Sequence, residues 1–201
     1  MFARGLRKGA AVLRRGGIVA YATEYCFGLG CDPRNRRAVL RLLRLKRRSI
    51  KKGLILLAAD TRQLTPYTAE IPPKALATWP GPHTWLVARN PSAPGWISGG
   101  HSSVAVRVTA HPQAAALCRT ARRAIVSTSA NRSGQAPARS HREVYRRFGR
   151  SIDYVLPGRV GDAPAPTPIR DAVTGELVRP GWYSGKWLPD FRILKLVQVL
   201  V

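Results

Sequence analysis

Between Leu45 and Leu57 the chain reads Leu-Lys-Arg-Arg-Ser-Ile-Lys-Lys-Gly-Leu-Ile-Leu-Leu, so that five cations, Lys46, Arg47, Arg48, Lys51 and Lys52, run straight into the apolar segment Leu54 to Leu57. That segment is short enough to be a core strand. Cations tethered between a helix end and such a strand are held in place, and a loop anchored at both ends can aim them. The guanidinium fork matches phosphate oxygens and an ammonium adds point charge, which makes a polyanion such as a triphosphate one reading of the stretch. Solvated charge in a very basic protein is the other, and from this stretch both stand.

The charge extends well beyond this loop. Lys and Arg number 34 against 10 Asp and Glu, a net charge of +24. Self-repulsion of that size points to an anionic partner, nucleic acid first. Because the charge is spread along the chain with Trp and Tyr between, a broad basic face is expected and not a detachable arm. With 201 residues, 45% of them apolar, the chain has enough material for one folded domain with a sizeable core. Alternating helical and strand-like segments place it in the α/β class.

Cys26, Cys31 and Cys118 are few and odd in number, as suits a reducing compartment. Cys26 and Cys31 stand wider apart than a zinc knuckle requires and no second close pair of Cys or His follows, so no metal-ligand set is assigned. His83, His101, His111 and His141 are scattered, with ordinary roles expected for each. The N-terminus lacks the apolar stretch of a signal peptide or membrane span, and a cytoplasmic protein is expected.

In chain order, Phe2, Leu6, Ala10 and Leu13 recur at helical spacing, and Gly16-Gly17 ends a helix there. Ile18 to Ala22 reads as a strand. Thr23 and Glu24 follow at its C-terminal end, where open α/β sheets bind ligands. Gly28-Leu29-Gly30 is read as a structural turn, since neither the dinucleotide fingerprint nor the Walker lysine motif accompanies it. Asp32-Pro33 suggests the start of a helix that delivers Lys46. After the strand Leu54 to Ala58, Asp60 caps a helical turn, and Pro72-Pro73 opens a helix to about Trp79, broken by Trp79-Pro80-Gly81-Pro82. Thr84 to Val87 is a strand; Pro91 to Gly100 is a loop with Trp96, either a lid or plain surface. Ser103 to Val108 alternates as a half-buried strand, with Arg107 on the side of Ser103 and Ala105. A helix from His111 to Thr120 leads to the strand Ala124 to Val126 and then Ser127-Thr128-Ser129-Ala130-Asn131, a cluster suited either to binding phosphate, ribose or carboxylate or to forming a turn. A helix from Ser140 to Phe148, a strand Asp153 to Leu156 and a hairpin of Ile169 to Asp171 with Leu177 to Arg179 complete the pattern.

Lys46-Arg47-Arg48 with Lys52-Gly53-Leu54, then Trp79-Pro80-Gly81-Pro82, Ser103 through Arg107, Ser127 through Asn131 and Ile169-Arg170-Asp171 occur in the order and spacing of the threonylcarbamoyl-AMP synthase family, the YrdC-type domain. The resemblance covers about residues 5 to 181. The K-x-R and S-x-N pieces are short individually, and their combination with the Trp-Pro-Gly-Pro turn and the strand ending in Arg107 is specific.

The resemblance implies condensation of L-threonine, bicarbonate and ATP into L-threonylcarbamoyladenylate with release of pyrophosphate, for the t6A modification of tRNA. The implied fold is an open, twisted sheet of mixed parallel and antiparallel strands, flanked by helices around a large basic cavity. By the same likeness Lys46, Arg48 and Lys52 would contact ATP with Ser103, Ser129, Asn131 and Arg179; Lys46, Arg48, Ser129 and Asn131 would carry the catalytic role. Thr23, Arg107, Ser127 and Thr167 would hold threonine, Arg107 taking its carboxylate. Mg²⁺ would arrive on the ATP phosphates, tRNA would meet the basic surface, and the product would pass to the downstream t6A transferase machinery.

Three departures accompany the likeness. Ala22 and Ser49 stand where the family commonly has proline, and Thr167-Pro168 replaces the usual pair there. The chain resembles the short form, with a domain over 1–187 and an apolar tail over 188–201 expected to dock on a sheet edge, as a packed helix or against a second copy. The competing class is a non-catalytic tRNA- or rRNA-binding or ribosome-maturation protein using the same charge; retention of Thr23, Arg107 and the Ser127 to Asn131 cluster together argues for the enzyme. The related domain of hydrogenase-maturation carbamoyltransferases belongs to much longer chains.

Overall fold

A computed structural model describes residues 2–183 and 186–187, with 182, 183, 186 and 187 described by their backbone alone. In chain order the elements are α1 (Phe2–Arg14), β1 (Val19–Ala22), β2 (Phe27–Gly30), α2 (Arg36–Lys46), β3 (Ile55–Ala58), α3 (Pro73–Leu76), β4 (Thr84–Ala88), α4 (Gly95–Ser98), β5 (Ser103–Val108), α5 (Pro112–Ala121), β6 (Ile125–Ser129), α6 (His141–Phe148), β7 (Tyr154–Val155), β8 (Ile169–Asp171), β9 (Leu177–Arg179), β10 (Trp182–Tyr183) and β11 (Lys186–Trp187). Nine strands form one sheet in the order β7-β1-β2-β6-β3-β5-β4-β8-β9, and β10 pairs with β11 separately. The β1–β7, β3–β5 and β4–β8 neighbours are parallel and the remaining pairs antiparallel, a mixed open sheet as expected.

The middle strands are covered on both faces, which is why β1 and β3 are almost wholly apolar. On one face Leu6 and Leu13 of α1 and Leu117 of α5 pack with Tyr21, Leu57 and Ile125. On the other, Leu42 of α2, Ile97 of α4 and Phe148 of α6 pack with Leu56 and Val126. Because side chains alternate along a strand, the face that carries Ile125 also carries Ser127 and Ser129, and the one that carries Leu57 also carries Ile55. One face of the sheet therefore begins as core and ends as cavity floor. Ser127, Ile55, Ala105 and Leu86 are successive register partners across β6, β3, β5 and β4, and all four line the cavity.

Several expectations are corrected. Gly28-Leu29-Gly30 is no turn: it lies within β2, and a Cβ on Gly30 would stand 2.6 Å from the Val126 carbonyl oxygen and 2.9 Å from the Tyr21 ring. Glycine serves strand crowding there. The second helix starts at Arg36 with Asn35 as its cap, whose Oδ1 accepts the Ala38 N–H at 3.0 Å. Asp32 instead accepts the Arg34 N–H and pairs with Arg123. The helix after Pro72 ends at Leu76. Pro91 to Gly100 is not an open loop: it contains α4, buries Ile97 to 1% exposure and ties Trp96 Nε1 to the Pro33 carbonyl at 3.0 Å. Phe2, at helical spacing with Leu6, Ala10 and Leu13, is exposed while those three are buried. His111 and Ser140 cap α5 and α6, and β6 runs on through the hydroxyl residues to Ser129. The tail 188–201 lies outside the described residues. Among the described residues no helix is long and apolar enough to cross a membrane.

Candidate active site

The helix α2 ends at Lys46, and Arg47 takes the left-handed conformation at φ 52, with the N–H of Arg48 closing on the Leu43 carbonyl at 2.9 Å. This reversal leaves Arg47 exposed and brings both neighbours to the cavity. Lys46 is only 4% exposed. Its Nζ donates to the carbonyl oxygens of Ser129 at 2.5 Å and Asn131 at 2.6 Å, and to Asn131 Oδ1 at 3.3 Å. Ser129 Oγ in turn donates to Asn131 Oδ1 at 2.5 Å. The K-x-R and S-x-N segments, far apart in sequence, are thus one hydrogen-bonded unit. Arg48 Nη2 donates to the carbonyls of Lys52 and Gly53, at 3.2 and 3.0 Å, bracing its own loop.

Burial depresses Lys46 to a pKa of about 8, with the positive charge of Arg48 adding to the effect. Arg179, from β9, is lowered to about 10 by burial first and then by Arg107 and Arg48. Its Nη2 donates to the Thr167 carbonyl at 2.8 Å. Cations crowded together in a buried place, held by carbonyls, favour an anion between them.

Arg107 lies deeper in the sheet and is 6% exposed. Its Nη1 donates to Thr167 Oγ1 at 2.8 Å, and Thr167 Oγ1 also lies 3.3 Å from Thr84 Oγ1. Thr23 donates its hydroxyl to the Cys26 carbonyl at 2.7 Å, closing the turn between β1 and β2.

The cavity enclosed by these elements has a volume of about 630 Å³. All eleven residues that the resemblance implicates line it: Lys46, Arg48, Lys52, Ser103, Ser129, Asn131 and Arg179 with Thr23, Arg107, Ser127 and Thr167. Glu24, placed at the ligand end by the sequence pattern, stands behind Arg107 and is not part of the lining. Sequence reasoning missed Tyr25, Ser133 and Thr84. Tyr25 lines the cavity with the Arg139 guanidinium 5.1 Å from its ring. Ser133 Oγ donates to the carbonyls of Lys46 and Arg47. The Asn131-Arg132-Ser133-Gly134 run signals a turn, but only the fold shows that it closes over Lys46.

The Sua5_yciO_yrdC family model, described as "Telomere recombination", matches residues 11–181. The chain belongs to the Sua5/YciO/YrdC family. Within this family, a curated relative from Halorhodospira halophila named threonylcarbamoyl-AMP synthase is 54% identical over 178 residues, 87% of this chain and 93% of that protein. A Coxiella burnetii protein of the same name is 48% identical over 182 residues, 89% of this chain and 98% of that one. P. abyssi Sua5 complexed with L-threonine superposes with a TM-score of 0.83 at 32% identity, covering 96% of this chain, which spans 57% of the Sua5 chain. E. coli YciO shares the fold, with a TM-score of 0.78 at 23% identity. The Sua5/YciO/YrdC match thus covers the cavity and the segments that line it.

Proposed function

We propose that this Sua5/YciO/YrdC protein is an L-threonylcarbamoyladenylate synthase, condensing L-threonine, bicarbonate and ATP with release of pyrophosphate in the pathway to t6A in tRNA. The observation that carries the reading is that one cavity holds both a buried cluster of cations and, beside it, an arginine braced by the Thr167 hydroxyl. The synthase relatives, about half identical over most of their length, support it. So does the L-threonine complex of P. abyssi Sua5.

The neutral threonine amine adds to carbon dioxide with loss of an N–H proton to water, or to bicarbonate with expulsion of water, and a carbamate oxygen then attacks the α-phosphorus as the bond from phosphorus to the pyrophosphate oxygen breaks. Neither step needs an enzymic nucleophile. Proximity, charge neutralisation and exclusion of water from a labile carbamate are what the protein must supply. Lys46, Arg48, Lys52 and Arg179 neutralise the phosphates, with Ser103, Ser129 and Asn131 adding hydrogen bonds. Arg107 takes the threonine carboxylate, and Thr23, Ser127 and Thr167 complete that subsite. Among the described residues the cavity lining contains no Asp or Glu, a donor set that fits Mg²⁺ carried in by the triphosphate better than a cation held by protein carboxylates. Ser129, Ser103 and Asn131 would be the oxygen donors at hand for an ion carried in this way, which would supply further charge neutralisation on the phosphates.

The net charge of +24 supports a tRNA contact through the surface, and the product would pass on to the t6A transferase machinery. Such tRNA binding weakens as salt rises, the logarithm of the affinity falling against the logarithm of the salt concentration with a slope of roughly 0.7 to 0.9 per phosphate neutralised; affinity that stays flat between low and moderate salt argues against it. The deciding assay is pyrophosphate release with ATP, L-threonine and bicarbonate. Release should need all three, and equal release with threonine or bicarbonate omitted refutes the synthase reading.

A further inference from the structure

Arg107 is held from two sides. Beyond Thr167, its Nη2 lies 3.2 Å from Glu24 Oε2, with the two side chains only 7% and 12% exposed. The other carboxylate oxygen, Oε1, accepts the Thr109 hydroxyl at 2.5 Å. The backbone of Glu24 is itself clamped: its carbonyl accepts the Ala163 N–H at 3.2 Å, and the Thr23 carbonyl accepts the Gly161 N–H at 2.9 Å. A Cβ on Gly161 would come within 2.8 Å of the Glu24 carbonyl oxygen, so the 161–163 segment lies hard against the turn. The backbone of Glu24 is thus fixed, and the Thr109 hydroxyl holds its carboxylate beside the guanidinium.

Two unmet polar atoms remain in this buried pair. Arg107 Nε has no hydrogen-bond partner, and Glu24 Oε2 meets Arg107 as a charge, without an aligned hydrogen bond. A buried guanidinium donor left without an acceptor is unfavourable and marks a group prepared for a ligand. Burial alone would raise the Glu24 carboxyl pKa; the Arg107 charge and the Thr109 hydroxyl outweigh it and hold it below its ordinary range. It is therefore an anion at working pH, and it stands behind the arginine, out of the cavity lining. Its weak basicity, which follows from the lowered pKa, and its place behind the arginine both speak against a role as proton acceptor for the threonine amine.

We propose that Glu24 is the positioning residue of the threonine subsite: it fixes the Arg107 guanidinium on the sheet and cancels its charge, so that the subsite receives a zwitterionic amino acid and not a stray phosphate. The proposal rests on the reading that the cavity takes threonine. Without Glu24, Arg107 is held, among the described residues, by Thr167 alone, an uncompensated buried cation no longer aimed at the amino-acid carboxylate. A carboxylate that only stabilised the fold would affect both substrates alike or neither.

The test is Glu24→Gln, which keeps the shape and the capacity to bond Thr109 but removes the charge. Threonine binding is measured by calorimetry and KM for threonine and ATP by pyrophosphate release, in variant and wild type together with their melting temperatures. The expected result is weaker threonine binding and a threonine KM raised at least tenfold, with the ATP KM changed less than twofold and melting close to wild type. Unchanged threonine binding in the variant, or an equal rise in both KM values, overturns the positioning role while leaving the synthase reading intact. Failure of the wild type itself to bind threonine overturns that reading and the proposal with it. If Glu24→Gln does not fold, Glu24→Asp decides by the same split: charge retained one methylene short should give a threonine-selective defect, and its absence overturns the proposal.

Discussion

On one wall of the cavity Lys46 and Arg179 direct their N–H groups at peptide and amide carbonyls; on the other Arg107 faces the carboxylate of Glu24. Carbonyl dipoles orient a cation without cancelling its charge, so burial and neighbouring cations pull the pKa of Lys46 and Arg179 down. A carboxylate cancels the charge outright. The first arrangement waits for a polyanion that brings its own compensation; the second suits a ligand of zero net charge. The difference lies in which acceptors the fold supplies, since the cations themselves are of the same kind.

The sharpest way to break this contrast is Arg107→Ala. Truncating one partner of a buried charge pair typically removes 2 to 5 kcal/mol, so the threonine KM should rise on the order of a hundredfold or more while the ATP KM barely moves. An ATP-selective defect would exchange the roles of the two walls. Arg48→Ala should act on the other side. Loss of hydrogen bonds to a charged group, worth about 1.5 to 3 kcal/mol, weakens ATP binding by roughly ten- to a hundredfold. Melting should fall only slightly, because the side chain braces its own loop and contributes no core packing; a collapse of melting temperature with ATP affinity unaltered would make Arg48 a structural residue.

A pH titration separates the walls without mutation. Lys46 loses its proton near 8 in the folded chain, against an ordinary 10.5. Phosphates prefer its charged form, so ATP affinity should fall about tenfold for each pH unit above that value, and ATP binding should take up protons there. The stability effect has the opposite sign. Between the two values the unfolded chain binds the extra proton, so this group makes stability rise with pH over that window. ATP affinity that is level from pH 7 to 9 would remove Lys46 from the phosphate wall. The smallest expected effect is that of Arg47→Gly. Arg47 is exposed at φ 52, a conformation costing a non-glycine residue roughly 1 to 2 kcal/mol. Glycine should raise the melting temperature by a few degrees with both KM values unchanged; lost activity would mean that the Arg47 side chain reaches the substrates.

Local signals predicted those parts of the molecule that local physics governs. Asp60, His111 and Ser140 mark helix starts because a side-chain acceptor one to three residues away from unsatisfied N–H groups is a short-range matter. Where two good caps competed the reading failed: Asp32-Pro33 resembled a helix start, but Asn35 took the cap and Asp32 turned to Arg123, which is 91 residues distant. The Gly28-Leu29-Gly30 reading failed for a similar reason. Their purpose is visible only with β1 and β6 on either side, when a Cβ would collide. The same holds for Trp96, whose partner Pro33 is 63 residues away and converts a loop into a wall.

For the site, the sequence by itself determined the inventory: the K-x-R cations, the hydroxyl cluster, Arg107 and the hairpin arginine. Residue type sets what a side chain can neutralise or donate, and spacing along a strand sets which positions share a face. Only the tertiary structure decided the pairing. It drew Lys46 onto the carbonyls of Ser129 and Asn131, set Glu24 behind Arg107 and out of the cavity, and turned one sheet face from core to cavity between Ile125 and Ser127. Such pairings depend on contacts between segments 80 or more residues apart, and no local pattern encodes which carbonyl or carboxylate a buried cation will meet.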